Sequence, residues 1–183
     1  MEILGKLIKL RTYKISDYES IRLLRKGDKE WKLLDSPNSP RKTDFEIDTE
    51  LDKAISEHPS LNTSIPSSLV IANVGDDCVL GEVSRYNFNE VSNAVGIGLV
   101  IYNSEDWKQG IGTEVIFLWE KFLLEKLSET KKFIIETWSG NIGMTKIAKK
   151  FNYTLFEKRP NSINLNQHSY SKLLYEKSGL TTK

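Results

Sequence analysis

The sequence predicts one α/β domain over residues 1–183, in which a β-sheet is flanked by helices. The chain of 183 residues is long enough to bury one hydrophobic core but short for two domains. Its composition, 39% hydrophobic and 28% charged, is typical of a globular protein. Stretches with strand character alternate along the chain with stretches of helical spacing, and their order defines the fold class.

The first third of the chain is predicted to contain one strand and two helices. Charged and apolar residues alternate over 7–12, as in a strand, and Ser16 or Asp17 can cap a helix that continues through Leu24. Two prolines and several polar residues make 35–42 a loop. A second helix is predicted over 43–57.

The middle of the chain changes to short β-rich runs after a loop rich in Ser, Pro and Asn over 59–68. Three strands are predicted over 69–74, 79–88 and 94–102. The linkers between them are short enough for antiparallel hairpins.

The last third is predicted to hold two helices and three strands. Large apolar residues recur at helical spacing from Val115 to Leu127. The predicted elements are a helix over 113–127, a strand over 133–138, a helix over 142–151 and strands over 154–159 and 169–175. The whole order is strand, two helices, three strands, helix, strand, helix and two strands.

The low net charge and the scarcity of cysteine and histidine exclude several function classes. The formal net charge of +1, from 26 basic and 25 acidic residues, provides no field that would attract nucleic acid or anionic lipid. Cys78 is alone, and His58 and His168 lie far apart, so neither a disulfide nor a metal site is expected. The start of the chain lacks a signal-peptide pattern, and no apolar run could span a membrane, so we expect a cytoplasmic protein.

A glycine-rich loop between the third β-rich run and the long helix carries the main functional signal. Gly110 and Gly112 allow successive backbone N–H groups to point toward one spot, and the start of the helix adds a partial positive charge there. A P-loop is excluded because no Gly-Lys-Ser/Thr follows, and a dinucleotide fingerprint fails because Val115 replaces its third glycine. A tight turn that merely caps the helix remains an alternative.

The residues from Trp107 to Glu114, Trp-Lys-Gln-Gly-Ile-Gly-Thr-Glu, resemble motif A of the GNAT superfamily of N-acetyltransferases. The similarity is greatest to the branch that contains ribosomal-protein and polyamine N-acetyltransferases. Asn141, just after the strand over 133–138, stands where that branch places an asparagine. The resemblance extends over residues 7–175.

The resemblance implies a mixed sheet that is splayed between its two central strands, here 94–102 and 133–138. It also implies acetyl-CoA as cosubstrate, with the pantetheine arm paired to backbone groups of Val100, Ile101 and Tyr102. The pyrophosphate would lie on the amides of Lys108, Gln109, Gly110, Ile111, Gly112 and Thr113. Asn141 would contact the cofactor arm, cap the following helix, or do both.

Three departures from the family pattern bear on catalysis. Many relatives carry a tyrosine, as acid for the departing thiolate, where this chain has Ala148. Gly96 takes a place where relatives often have a glutamate, and Asn152-Tyr153 replaces their Gly-Phe. A thiol with a pKa near 8.5 leaves without strong help from an acid, so loss of the tyrosine does not by itself exclude activity.

Acetyl transfer to an amine needs a route for the amine's proton, because an amine with a pKa near 10 is protonated at neutral pH. Glu82 and Tyr86, four residues apart on one strand face, are the candidate catalytic residues. The alternative is a surface carboxylate and a packed tyrosine. No metal is required.

The sequence therefore predicts an acetyl-CoA-dependent N-acetyltransferase that acts on a primary amine, either a protein N-terminus or a small molecule, by direct attack in a ternary complex. One alternative is a catalytically inactive acyl-CoA-binding or regulatory protein of the same fold. Another is a scaffold whose glycine loop is only structural. The acceptor and the oligomeric state, a homodimer included, are left open.

Overall fold

A computed structural model describes residues 1–35, 37, 40–58, 65–127, 130 and 132–178. The described part contains one eight-stranded sheet and five α-helices. The strands are β1 (Glu2–Leu4), β2 (Ile8–Arg11), β3 (Ser68–Asn73), β4 (Val79–Asn87), β5 (Ala94–Ile101), β6 (Lys132–Trp138), β7 (Thr154–Leu165) and β8 (His168–Ser178). The helices are α1 (Asp17–Arg25), α2 (Trp31–Leu34), α3 (Asp44–Glu57), α4 (Ile111–Lys126) and α5 (Ile142–Lys150).

The strands are arranged in the order β1-β2-β3-β4-β5-β6-β8-β7. Neighbouring strands are antiparallel except for β5 and β6, which run parallel. A parallel pair requires a crossover connection, and α4 provides it between these two central strands.

Helices cover both faces of the sheet. On one face, α4 and α5 pack on the inward residues of the central strands, where Trp119, Leu123 and Phe133 are fully buried. On the other face, Tyr18 and Ile21 of α1 and buried residues of α3 pack against β3. We call these the α4 face and the α1 face. None of the helices within the described ranges is both long and apolar enough to cross a bilayer.

Local sequence accounts for the starts of three of the helices. Thr43 and Glu46 form a capping box at the start of α3, each accepting a hydrogen bond from the backbone of the other. Asn141 caps α5 by accepting from the Met144 amide at 3.0 Å. Gly110 precedes α4 with φ of 90°, a conformation in which glycine has no steric penalty.

The predicted fold class and order of elements are confirmed, with four differences in detail. β1 and α2 were not predicted, α4 begins two residues earlier than expected, and β7 and β8 form a hairpin longer than the two short strands expected. Most of the loop predicted over 59–68 lies outside the described residues.

Candidate active site

The two central strands separate halfway along their length. β5 and β6 are paired only at three positions, Ala94–Lys132, Val95–Phe133 and Gly96–Ile134. Beyond these pairs β5 continues against β4 and β6 continues against β8, but not against each other. The result is an open notch between Ile97–Ile101 and Ile135–Trp138, which confirms the predicted splay.

One edge of the notch is formed by the side of β5 that faces away from β4. The Tyr102 amide donates to the Leu80 carbonyl at 2.9 Å, so Tyr102 directs its backbone toward β4. Because backbone groups alternate along a strand, Val100 also faces β4, whereas Leu99 and Ile101 face the notch. Three residues were predicted to pair with a cofactor. Ile101 presents its backbone to the notch, whereas the backbones of Val100 and Tyr102 face β4. The Ile101 carbonyl accepts a bond from the Trp107 indole at 2.9 Å.

The glycine loop at the open end of the notch presents a row of unpaired amides. Within the part of the chain that the structure describes, the N–H groups of residues 108–113 make no hydrogen bond. Lys108 (φ 64°) and Gly110 (φ 90°) adopt left-handed conformations that turn the chain into α4. Unpaired amides at the positive end of a helix form an anion-binding site. That these amides hold the pyrophosphate of a cofactor stays a prediction.

The two glycines of this loop have different roles. Gly110 is required by its positive φ and not by lack of space. A β-carbon there would meet nothing closer than Leu7 Cδ1, at 3.8 Å. Gly112 is required by packing, since a β-carbon there would lie 2.9 Å from Ile147 Cδ1 and 3.4 Å from Leu99. Gly112 thus allows α4 to approach β5 and α5 closely.

Asn141 lies across the notch from this loop and uses both ends of its side chain. Its Oδ1 caps α5, and its Nδ2 donates to the Leu34 carbonyl at 3.0 Å. The Trp138 indole donates to the same carbonyl at 3.1 Å. Asn141 is therefore a helix cap, and its donor is engaged by α2; its predicted contact with a cofactor stays a prediction.

The helix α2 spans the mouth of the notch on the α1 face. Its last residue, Leu34, is bound to the β6 side through Trp138 and Asn141. Its first residue, Trp31, packs edge-on against Tyr102 at the end of β5, with ring centroids 5.4 Å apart. This bridge was not foreseen from the sequence, because a four-residue helix gives almost no periodic signal.

Glu82 points from β4 to the α1 face, opposite Val100 of β5 and one strand away from the notch. Its Oε1 accepts a hydrogen bond from the Tyr13 hydroxyl at 2.5 Å, and its Oε2 accepts one from the Tyr102 hydroxyl. Glu82 is thus a partly buried, hydrogen-bonded carboxylate rather than a freely exposed surface group. No local pattern links Tyr13 to Glu82, so sequence reasoning missed that contact.

Tyr86 lies on the same face of β4 but does not meet Glu82. Four residues along a strand correspond to about 13 Å. The Tyr86 ring lies over Gly96, where a β-carbon would be 2.2 Å from the ring, at the vertex of the notch. Burial, together with the negative charge of Glu136, raises the pKa of Tyr86 to about 12, so the phenol is protonated at neutral pH. A role for Tyr86 in proton transfer remains a prediction.

Neither Ala148, which replaces the tyrosine of many relatives, nor the nearby Tyr153 supplies an acid to the notch. Ala148 is fully buried on the inner side of α5, and a tyrosine there would have to displace core side chains. Tyr153 is likewise buried, and its hydroxyl donates to Glu120 at 2.6 Å within the α4 face. Glu120 lies nine residues into α4, about 13 Å from the helix start that borders the notch. Tyr153 is therefore not placed to donate a proton in the notch.

A family profile described as an acetyltransferase (GNAT) domain matches residues 8–154. Among solved structures, the fold is similar to a GNAT-family acetyltransferase from Bacillus anthracis, with TM-score 0.74, 12% identity, and coverage of 97% of this chain and 98% of that one. It is also similar to RimL, a ribosomal L7/L12 alpha-N-protein acetyltransferase in complex with coenzyme A, with TM-score 0.72, 16% identity, and coverage of 97% and 98%.

A third similar structure is the microcin C7 self-immunity acetyltransferase MccE in complex with acetyl-CoA and AMP. It has TM-score 0.69, 17% identity, and coverage of 95% of this chain and 93% of that one. A search of curated protein sequences found no match. At these identities the structural similarities establish a shared fold.

Proposed function

The chain belongs to the acetyltransferase (GNAT) domain family, and from this premise we propose that it transfers the acetyl group of acetyl-CoA to a primary amine by direct attack in a ternary complex. The observation that carries the proposal is one juxtaposition. The notch-facing backbone of Leu99 and the N–H of Ile101, whose carbonyl is bound by the Trp107 indole, lead to a row of free amides at 108–113, with the Glu82 carboxylate one strand away. These are the groups that a thioester cosubstrate and an amine would need.

Each part of the site has a definite task under this proposal. The amides of 108–113 hold the pyrophosphate, and the free edge of β5 pairs with the amide groups of the pantetheine arm. A notch-facing N–H of Leu99 or Ile101 stabilises the negative charge that develops on the thioester oxygen. Asn141 would contact the same arm once its donor is released from Leu34.

Glu82 is proposed as the general base. The protonated amine first gives one proton to the Glu82 carboxylate, directly or through one water, and the freed nitrogen lone pair forms a bond to the acetyl carbon. As the carbon–sulfur bond breaks, the second proton of the nitrogen passes to the departing thiolate, directly or through water. The thiolate departs without an acid from the Ala148 position, because thiols are weakly basic leaving groups. Tyr86, protonated at the vertex of the notch, is proposed to contact the bound amine or thioester.

The acceptor class is proposed as a protein N-terminus or a small-molecule amine. RimL is named as an acetyltransferase of ribosomal L7/L12 and MccE as a microcin C7 self-immunity acetyltransferase, so the proposal keeps more than one acceptor class. We further propose that the protein works as one domain in the cytoplasm and does not bind nucleic acid. The balance of 26 basic and 25 acidic residues supports the last point.

Thiol release from acetyl-CoA, measured across a panel of amines and N-terminal peptides together with the mass of the product, tests the proposal. Glu82→Gln keeps the shape of the side chain and removes the base, so we expect turnover to fall ~100-fold or more. Affinity for acetyl-CoA should stay within about twofold of the wild type. Glu125→Gln, at an exposed position on α4, is the matched control and should leave turnover unchanged.

Two results would contradict the proposal in different ways. Normal turnover by Glu82→Gln would place the base elsewhere. Tight binding of acetyl-CoA by the wild type, without turnover of any amine in the panel, would favour the inactive acyl-CoA-binding alternative.

A further inference from the structure

Two tyrosine hydroxyls from distant parts of the chain meet on the Glu82 carboxylate. Tyr13 follows β2 and donates to Oε1 at 2.5 Å, and Tyr102 follows β5 and donates to Oε2. Each oxygen of the carboxylate thus accepts a hydrogen bond from one phenol. A carboxylate offers about four lone-pair positions, so one position on each oxygen remains for a proton.

Packing fixes both phenols independently of the carboxylate. The Tyr13 ring is stacked on Tyr18 with centroids 5.8 Å apart, and its hydroxyl lies 3.2 Å from Ser68 Oγ. Tyr102 is 4% exposed, and Trp31 packs edge-on against its ring. Each phenol ring thus has an aromatic neighbour of its own in addition to its hydroxyl's bond to the carboxylate.

Both phenols remain hydrogen-bond donors at the pH at which an acetyltransferase works. Burial, reinforced by the negative charge of Glu82, raises the pKa of Tyr13 and of Tyr102 well above the ordinary value for tyrosine. Tyr18 and Arg25 of α1 also face this group. The Tyr18 hydroxyl lies 3.2 Å from His58 Nδ1 and Arg25 pairs with Glu50 at 3.1 Å, so both side chains make their hydrogen bonds away from the carboxylate.

We propose that Tyr13 and Tyr102 are positioning residues, which orient the Glu82 carboxylate for proton transfer from the acceptor amine. Tyr102 directly follows β5, the strand whose free edge borders the notch. Its bond to Glu82 therefore fixes the distance between the base and the strand on which the thioester is proposed to lie. This inference rests on the proposed function of Glu82 and adds to it the two residues that hold the base in place.

A double-mutant cycle separates positioning from a general structural effect. Tyr102→Phe removes only the hydroxyl and keeps the ring that contacts Trp31. We expect kcat to fall ~10-fold or more, because a small misplacement of a catalytic group is costly, whereas the Kd for acetyl-CoA should not change. In the Glu82→Gln background the same substitution should have almost no further effect on kcat, since the group that it orients is already absent.

Tyr13→Phe should behave in the same way, and it takes the place of Tyr102→Phe if that variant fails to fold. Tyr18→Phe is the matched control, because it removes a hydroxyl from the same aromatic cluster that does not contact the carboxylate. The control should leave kcat within about twofold of the wild type.

All rates are measured as thiol release with the amine of the panel that the wild type acetylates fastest. An equal fall in kcat for Tyr102→Phe with and without Glu82 would overturn the positioning role, and so would unchanged kcat in both tyrosine variants. Full activity in Glu82→Gln would instead remove Glu82 from the reaction and this inference with it. The single and double variants therefore distinguish failure of the inference from failure of the proposed function.

Discussion

At the scale of single residues, Gly110 and Lys108 share a left-handed backbone conformation but differ in side chain. Both have positive φ values, 90° for Gly110 and 64° for Lys108, and both lie in the loop whose amides are free. Glycine adopts this conformation without strain, whereas other residues are disfavoured there by about 1–2 kcal/mol. The pair allows the geometry of the loop to be tested apart from its charge.

Gly110→Ala should weaken coenzyme A binding by about 10-fold or more, because the loop must either bear the strain or move its amides away from one another. The free space around the site rules out a steric clash as the cause. Calorimetric titration of coenzyme A into the folded variant measures the effect.

Lys108→Gly is the matched control, since it relaxes the backbone and keeps the amide. Its affinity for coenzyme A should stay within about twofold of the wild type. Wild-type affinity in Gly110→Ala would remove the loop from the site. A large loss in Lys108→Gly would assign the anion to the lysine side chain rather than to the amides.

At the scale of secondary structure elements, α2 is attached at its ends and has no buried residue. Its link to the β6 side consists of two donors, Trp138 and Asn141, on the single carbonyl of Leu34. Elements with few buried contacts open at low free energy. A cofactor that used the Asn141 donor would remove one of these two bonds.

Coenzyme A binding should therefore raise amide hydrogen exchange in α2, by about fivefold for a lost hydrogen bond of about 1 kcal/mol. Trp138→Phe removes the other donor and should raise the exchange of α2 without cofactor. Asn141→Asp keeps the acceptor that caps α5 but loses the donor, and should do the same. Exchange that stays constant while coenzyme A saturates the protein would show that Asn141 keeps its bond to Leu34 and is not a cofactor ligand.

Elements with a strong local signal were predicted from the sequence, and those without one were missed. Helix α3 has a periodic apolar side and begins at a capping box, and its predicted range agrees with the structure. Strand β1 has three residues and α2 has four, which is too short for either periodicity to appear. β7 continues through Pro160, which a sheet edge tolerates because no neighbour needs its amide.

The same distinction applies to the site. The loop over 108–113 and the cap at Asn141 each depend on a short stretch of sequence. The backbone turn of the loop and the helix cap could therefore be predicted from local sequence. The contacts of Glu82 with Tyr13 and Tyr102 join residues 69 and 20 positions apart. Such contacts depend on how β2, β4 and β5 are ordered in the sheet, which a local pattern does not specify.

At the scale of the whole molecule, a partly buried ion cluster ties the start of the chain to the sheet. Arg11 is 3% exposed and binds Asp17 through two hydrogen bonds of 2.6 and 2.9 Å. It also binds Asp77, in the turn between β3 and β4, at 2.8 Å. Hydrogen bonds from Lys14, Lys9 and Arg11 hold the pKa of Asp77 well below its usual range.

This lowered pKa predicts a loss of stability in acid. A carboxyl group with a lower pKa in the folded than in the unfolded state stabilises the fold above its unfolded value of about 3.9, and this contribution is lost as the pH falls below it. Asp77→Asn should lower the free energy of unfolding by about 1–3 kcal/mol at pH 7, and the difference from the wild type should shrink below about pH 4.

Asp76→Asn, in the same turn, is the control and should change stability by less than about 0.5 kcal/mol. Chemical denaturation of the three proteins between pH 3 and pH 7 measures these differences. A deficit of Asp77→Asn that stayed the same over this range would show that the ionised carboxylate is not the source of its stabilisation.

The central claim is that acetyl-CoA lies in the notch between β5 and β6, and a crystal structure of the protein with coenzyme A tests it most directly. We predict density for the pantetheine arm along Ile97–Ile101, with the pyrophosphate within hydrogen-bond distance of the amides of 108–113 and the sulfur on the side that faces Glu82. Coenzyme A bound outside the notch, or a notch closed by pairing of Ile97–Ile101 with Ile135–Trp138, would contradict the account.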